Sequence, residues 1–318
     1  MMGHDGQDSM WERYGMEGSP RSAACRPGWS PRGDRRKAGR GLLLLATVGA
    51  LTGCEALAVE VETGIHYGQA IQVGRGTIRT YVILEVGRAV EVGVALSEGA
   101  LEGLPPARGD APGLEPGRGG ETAAGEMGHS HHHTRDDVEY LLDLPVDNPT
   151  AYRFVEVNWN PRGHPPEGIY DTPHFDVHFY TISLTEREAI DPHDREFVRR
   201  AGRLPAPATV PGGFLPHHLL EGSEPWQATV PRMGMHWIHP GGSEFNGSPF
   251  TATLLVGSWD GRFIFTEPMV ALEYLRGNPD LTLDHDPARD GTALETLRVY
   301  RDEESAEVRI ALLAPRPR

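Results

Sequence analysis

The feature that most limits what this chain can fold into is a series of short runs in which β-branched and aromatic residues alternate with polar ones. GTIRTYVILEVG (76–87) and RAVEVGVALS (88–97) are two such runs, VEYLLDL (138–144) and YRFVEVNW (152–159) are two more, and PHFDVHFY (173–180) is another. A period of two places alternate side chains on opposite faces of a strand, so each run predicts a strand with one buried face. FTATLLVGSWDGRFIFTE (250–267) reads as two strands around Asp260-Gly261, a dipeptide suited to a two-residue hairpin turn, and LETLRVY (294–300) with AEVRIALL (306–313) as another hairpin. Helix signals are fewer. Thr185 with Glu188 three residues on reads as a capping box, Asp191-Pro192 as a second helix start, Gly202 as a stop after FVRRA, and Pro268 to Arg276 as a short helix ended by Gly277. The expectation is an α+β fold made mainly of antiparallel sheet with a few short helices.

The N-terminal part has a different logic. Residues 35–54, RRKAGRGLLLLATVGALTGC, give in order a basic stretch, a short apolar run and small residues before a cysteine, which is the layout of an export signal. The apolar run is short of the ~20 residues that a membrane-spanning helix needs. Leu51-Thr52-Gly53-Cys54 resembles the lipobox at which bacterial lipoproteins are cleaved and acylated, so residues 1–53 are expected to be a signal peptide and Cys54 the lipidated residue. The expected division is then 54–104 for the N-terminal strands of the core domain, 105–136 for an insertion, 137–277 for the main domain and 278–318 for a C-terminal hairpin. The insertion is rich in Gly, Pro and charge, a composition that cannot bury a core, and is expected to be disordered.

Composition removes whole classes of function. Of the chain's 30 Lys and Arg and 45 Asp and Glu, eight and five lie in 1–53, leaving 22 basic against 40 acidic residues and a formal charge of about −18. So acidic a surface repels phosphate backbones and attracts cations, which argues against a nucleic-acid partner. Lys37 is the only lysine and falls in the signal, which excludes pyridoxal phosphate and other Schiff-base chemistry, and P-loop or kinase-like nucleotide sites. The two cysteines are Cys25 and Cys54, so after cleavage and lipidation no thiol nucleophile, disulfide or cysteine-ligated metal is left. Nor is there a GxSxG, HExxH or GxGxxG signature.

Histidine and carboxylate remain, and fourteen of the fifteen histidines follow residue 53. They concentrate in WNPRGHPPEGIYDTPHFDVHFY (159–180), which holds His164, Glu167, Asp171, His174, Asp176 and His178; PRMGMHWIHP adds His236 and His239, and FIFTEPM adds Glu267. Neutral imidazole and carboxylate oxygen are the usual donors to zinc, iron, manganese and copper. The expected site takes His174 or His178, His236 and Glu267 as metal ligands, with His164 or Asp176 orienting a ligand. If Phe175, Val177 and Phe179 face the core of a strand, His174 and His178 share the opposite face about 13 Å apart, at ~3.3 Å per residue, too far to bind one ion. In a helix the same pair would be neighbours. The β-forming aromatics favour the strand. His129, His131, His132 and His133, in the insertion, form a separate cluster suited to weak capture of zinc or copper.

The strings GHPPEGIYDTPHFDVHFY, VPRMGMHW and FTEPM resemble a bacterial domain-of-unknown-function family typified by a Thermus protein under extracytoplasmic-stress sigma-factor control. The likeness covers roughly 68–104 and 138–276. It implies an α+β fold, export and homo-oligomerisation, and brings no activity with it. The resulting expectation is a lipid-anchored protein of the bacterial cell envelope, facing the periplasm or exterior, that binds a divalent transition metal. The alternative is a non-catalytic binding or assembly module in which the histidines form a structural hydrogen-bond network.

Overall fold

The computed structural model describes residues 63–107, 137–292 and 294–315. Residues 1–53, expected to be a signal, Cys54 and the cluster from His129 to His133 lie outside them. In the first described stretch β1 (Gly64–Tyr67) and β2 (Ile71–Val73) precede the long hairpin β3 (Gly76–Glu85) and β4 (Arg88–Ser97). The hairpin turns at Val86 and Gly87, both with positive φ, the conformation that a two-residue turn needs to match strand twist. After residue 136 come β5 (Val138–Asp143), β6 (Phe154–Asn160) and β7 (His174–Tyr180), then short helices α1 (Leu184–Glu188) and α2 (Phe197–Ala201). The strand β8 (Leu215–Pro216), helix α3 (His217–Glu221), and strands β9 (Thr229–Val230), β10 (Gly234–Ile238), β11 (Ala252–Trp259) and β12 (Arg262–Ala271) follow. Helix α4 (Leu272–Arg276) and strands β13 (Asp280–Leu283), β14 (Thr296–Asp302) and β15 (Glu307–Leu313) complete the described chain.

The strands form two antiparallel sheets. One runs β1-β3-β4-β15-β14-β13, with β2 beside β3, and the other runs β5-β6-β7-β12-β11-β10-β8, with β9 beside β10. The final hairpin is thus not an appendage: β15 pairs with β4, closing a sheet begun by the N-terminal strands. A shared core joins the sheets. Ile78, Val82, Val94, Leu96, Val299 and Ile310 of the first meet Val155, Val157, Phe175, Val177, Phe179 and Leu254 of the second. The fold is therefore mainly antiparallel sheet, with helices of a single turn or little more.

Alternation then dictates what the other face of the second sheet carries. With Val155, Val157 and Trp159 turned to the shared core, β6 turns Glu156, Asn158 and Asn160 outward, and β7 does the same with His174, Asp176 and His178. Such a polar row normally meets water. Here it is roofed over, and every residue of β6 and β7 is buried. Ile182, Ile190, Phe197 and Ala201, around α1 and α2, pack on Phe154, Tyr180 and Phe265, while Tyr170 and Phe250 close over Leu255, Met269 and Ala271.

Three local expectations are corrected. The capping box is Ser183 with Glu186, two residues earlier than Thr185 and Glu188: Glu186 N–H donates to Ser183 Oγ at 3.2 Å and Ser183 N–H donates to Glu186 Oε2 at 2.9 Å. The second helix starts at Phe197 rather than at Asp191-Pro192, because Asp191 instead caps a turn by accepting from His193 N–H. Pro268 does not begin a helix; β12 runs through it to Ala271 and only Leu272–Arg276 is helical. Proline cannot donate to a ladder, and the pairing of β12 with β7 accordingly skips from Thr266↔Phe179 to Met269↔Asp176. Glu267 is thereby a mid-strand residue, not the helix-start residue its place before Pro268 suggested.

Candidate metal centres

The roofed polar row gathers into two triads, each of two histidines and one carboxylate. His164, His174 and Asp176 form one; His178, His236 and Glu267 form the other, and in each triad the three ligand atoms lie within 4.8 Å of one another. All six residues are buried.

In the first triad β7 contributes His174 and Asp176, which point the same way because they are two residues apart. His164 arrives from the loop after β6. That loop is pinned by His164 N–H donating to the Tyr170 carbonyl at 3.2 Å, and Gly163, at φ +72°, passes so close to Tyr170 that a Cβ would lie 1.9 Å from its carbonyl oxygen. The tautomers follow from the backbone. His164 Nδ1 lies 2.7 Å from the Pro165 carbonyl oxygen and His174 Nδ1 lies 2.6 Å from that of Thr172. A carbonyl only accepts, so each Nδ1 carries a proton and each Nε2 is left to face Asp176. His164 Nε2 is 3.2 Å from Oδ2 and His174 Nε2 is 3.1 Å from Oδ1. Asn160 Nδ2 donates to Oδ2 at 2.7 Å, holding the carboxylate in place.

Burial alone would push His164 down, but the Asp176 carboxylate holds it up, to about 9. Burial likewise works to raise Asp176, and His174 and His164 together keep it well below the usual carboxylate range. Without a metal, a proton on His164 Nε2 thus supplies the positive charge that Asp176 requires. His174 Nε2 and the facing Asp176 Oδ1 are both buried and lie outside hydrogen-bond geometry.

In the second triad Glu267 of β12 sits between His178 of β7 and His236 of β10. His178 Nε2 is 3.2 Å from Oε1 and His236 Nε2 is 3.4 Å from Oε2. Burial pushes the His178 imidazole down, with the nearby Glu156 opposing, and neither of its nitrogens hydrogen-bonds. Phe265 stands edge-on to the His178 ring at 4.9 Å and 5.3 Å from the His236 ring. It fits there because residue 257 is glycine; a Cβ would lie 2.0 Å from the Phe265 ring.

The structure therefore divides the expected ligand set. His178, His236 and Glu267 come together as proposed from sequence, whereas His174 joins His164 and Asp176, the two residues expected only to orient a ligand. The strand geometry of 174–180 accounts for the separation of His174 from His178. Glu167 and Asp171 are exposed, and His239 lies outside both triads, its ring 6.1 Å from that of His285. Sequence reading passed over Asn158, Asn160, Glu156 and Gly257. The first three were visible as the polar half of YRFVEVNWN, but that alternation also describes a strand with one face in water. No helix among the described residues is long and apolar enough to cross a membrane. No protein-family description, curated protein or solved structure matches this chain.

Proposed function

We propose that this chain is a metal-binding lipoprotein of the bacterial envelope, tethered through Cys54, whose folded part holds a divalent transition ion on His164, His174 and Asp176. One observation carries the reading: His174 Nε2 and the facing Asp176 Oδ1 are 3.1 Å apart, both buried, and neither is in hydrogen-bond geometry. A buried imidazole nitrogen and carboxylate oxygen this close call for a positive charge at the pair, and a metal ion bound to both supplies it. The Nδ1–H to carbonyl bond is also the arrangement that orients metal-binding imidazoles. Two nitrogens and one carboxylate suit zinc, ferrous iron, manganese or copper, and leave coordination positions open. The acidic surface favours cation entry.

The test is the metal content of the full chain, extracted in detergent and purified without chelator or affinity tag. About one equivalent or more of a transition ion, reduced by Asp176→Asn, is the expected result. Less than about a tenth of an equivalent, with no rise in melting temperature on adding zinc or manganese, would leave the histidines as a structural network.

A further inference from the structure

The two triads are neighbours on one surface. Asp176 and His178 are two residues apart on β7, about 6.6 Å at ~3.3 Å per residue. A cavity of about 10 Å³ lies between the triads, lined by His164 and Asp176 of the first and by His236 and Glu267 of the second. That is room for about one water. Pro165, Pro166, Tyr170, Ile238, Leu255 and Met269 close the rest of it, so nothing larger enters without movement.

Asn158 supplies an independent sign of a ligand. It is 1% exposed, it pairs across the ladder with Asp176, and neither its Oδ1 nor its Nδ2 hydrogen-bonds to any protein group. An amide buried in this way costs about 1–3 kcal/mol unless something else satisfies it. Its ladder neighbours on the same face are accounted for differently: Asn160 donates to Asp176, and Glu156 is ion-paired with Arg187.

We propose that the two triads form one paired-metal centre, with a divalent ion on each and a single small oxygen ligand, water or hydroxide, in the cavity between them, and with Asn158 beside Asp176 on the neighbouring strand. This rests on the metal-binding reading above and extends it from one ion to two. Glu267 and Asp176 each give one negative charge, so two divalent ions leave an excess of positive charge that favours an anionic ligand and lowers the pKa of a bound water toward hydroxide.

The test is electron paramagnetic resonance of the full chain loaded with Cu(II), using a variant with His129→Ala, His131→Ala, His132→Ala and His133→Ala so that the insertion takes none. The expected result is two equivalents bound, a spectrum broadened by coupling and a half-field transition. In Glu267→Gln one equivalent remains and the half-field transition disappears. Two equivalents with an uncoupled spectrum would overturn the shared centre. A single equivalent that is lost in Asp176→Asn but kept in Glu267→Gln would also overturn it, while leaving the single-ion reading intact. No bound copper would defeat the paired centre, and the single-ion reading falls with it only if zinc and manganese also fail to bind. The unsubstituted triads decide the question by themselves, so the outcome does not depend on the triad variants folding.

Discussion

Asn158→Leu separates a structural role from a ligand role by the sign of its effect. Asn158 is buried and unbonded on both ends of its amide, so in the metal-free protein its desolvation is uncompensated. Leucine has a similar volume and no polar atoms, and removing an unsatisfied buried amide recovers up to about 1–3 kcal/mol. For an ordered region of this size each kcal/mol moves the melting temperature by roughly 2–4 °C, so the metal-free variant should melt some ~2–12 °C above the parent. With zinc or manganese present that advantage shrinks or disappears. Deleting a contact that orients a metal-bound ligand typically weakens metal binding ~10–100-fold, so the stabilisation gained on adding metal should fall by about 1.4–2.7 kcal/mol. The assay is thermal unfolding followed by circular dichroism, with chelator and with a fixed metal concentration. If Asn158→Leu lowers the metal-free melting temperature, the amide has a partner within the protein and the reasoning fails.

Three further outcomes follow from the same structure, and a fourth from the proposed anchor. Arg187 is fully buried on α1 and ion-pairs with Glu156, Glu139 and Glu188; Arg187→Met should cost about 3–5 kcal/mol in denaturant unfolding, and adding Glu156→Leu should restore most of it, because an unpaired buried charge is worse than an apolar pair. Gly257→Ala places a methyl against the Phe265 ring and should cost about 1–3 kcal/mol, and it should weaken metal binding at His178, His236 and Glu267 more than at the other triad, as read by metal titration of each single-triad variant. Burial holds His218 down at about 4, against an ordinary value of 6.5, so its neutral form stabilises the fold fully above pH 6.5 and that contribution is lost as pH falls through 4; the loss is on the order of 2–3 kcal/mol, and His218→Leu should flatten stability across that window. Cys54→Ala should abolish incorporation of labelled fatty acid and release the chain from membranes; unchanged labelling would remove the anchor.

Much of the sheet could be read from the chain because alternation has a direct physical meaning. Phe175, Val177 and Phe179 could face one core only if His174, Asp176 and His178 faced the other way, and the strand does this. The hairpin at Asp260-Gly261 was legible for a similar reason, since both residues take the positive φ that this turn requires. Pro268 misled because a proline usually ends a strand, whereas here the β7 ladder interrupts its hydrogen bonds where proline lacks an N–H. The capping box was displaced because Ser183 and Thr185 offer equivalent hydroxyls two residues apart, each with a glutamate three positions on. The division into two triads could not be read at all. It depends on which strands are neighbours, and β7 lies between β6 and β12, more than eighty residues apart in the chain at the positions facing Asp176. Burial of Glu156, Asn158 and Asn160 was equally hidden, because an alternating strand carries no sign of a roof built from residues 161–250.

Anomalous diffraction from crystals of the metal-loaded protein, recorded on both sides of the metal's absorption edge, tests the central claim most directly. The account predicts a peak within ~2.0–2.2 Å of His164 Nε2, His174 Nε2 and an Asp176 oxygen, with both Nδ1 atoms still donating to the carbonyls of Pro165 and Thr172. A map with no peak there, and with His174 Nε2 hydrogen-bonded to Asp176 through a proton, would contradict it.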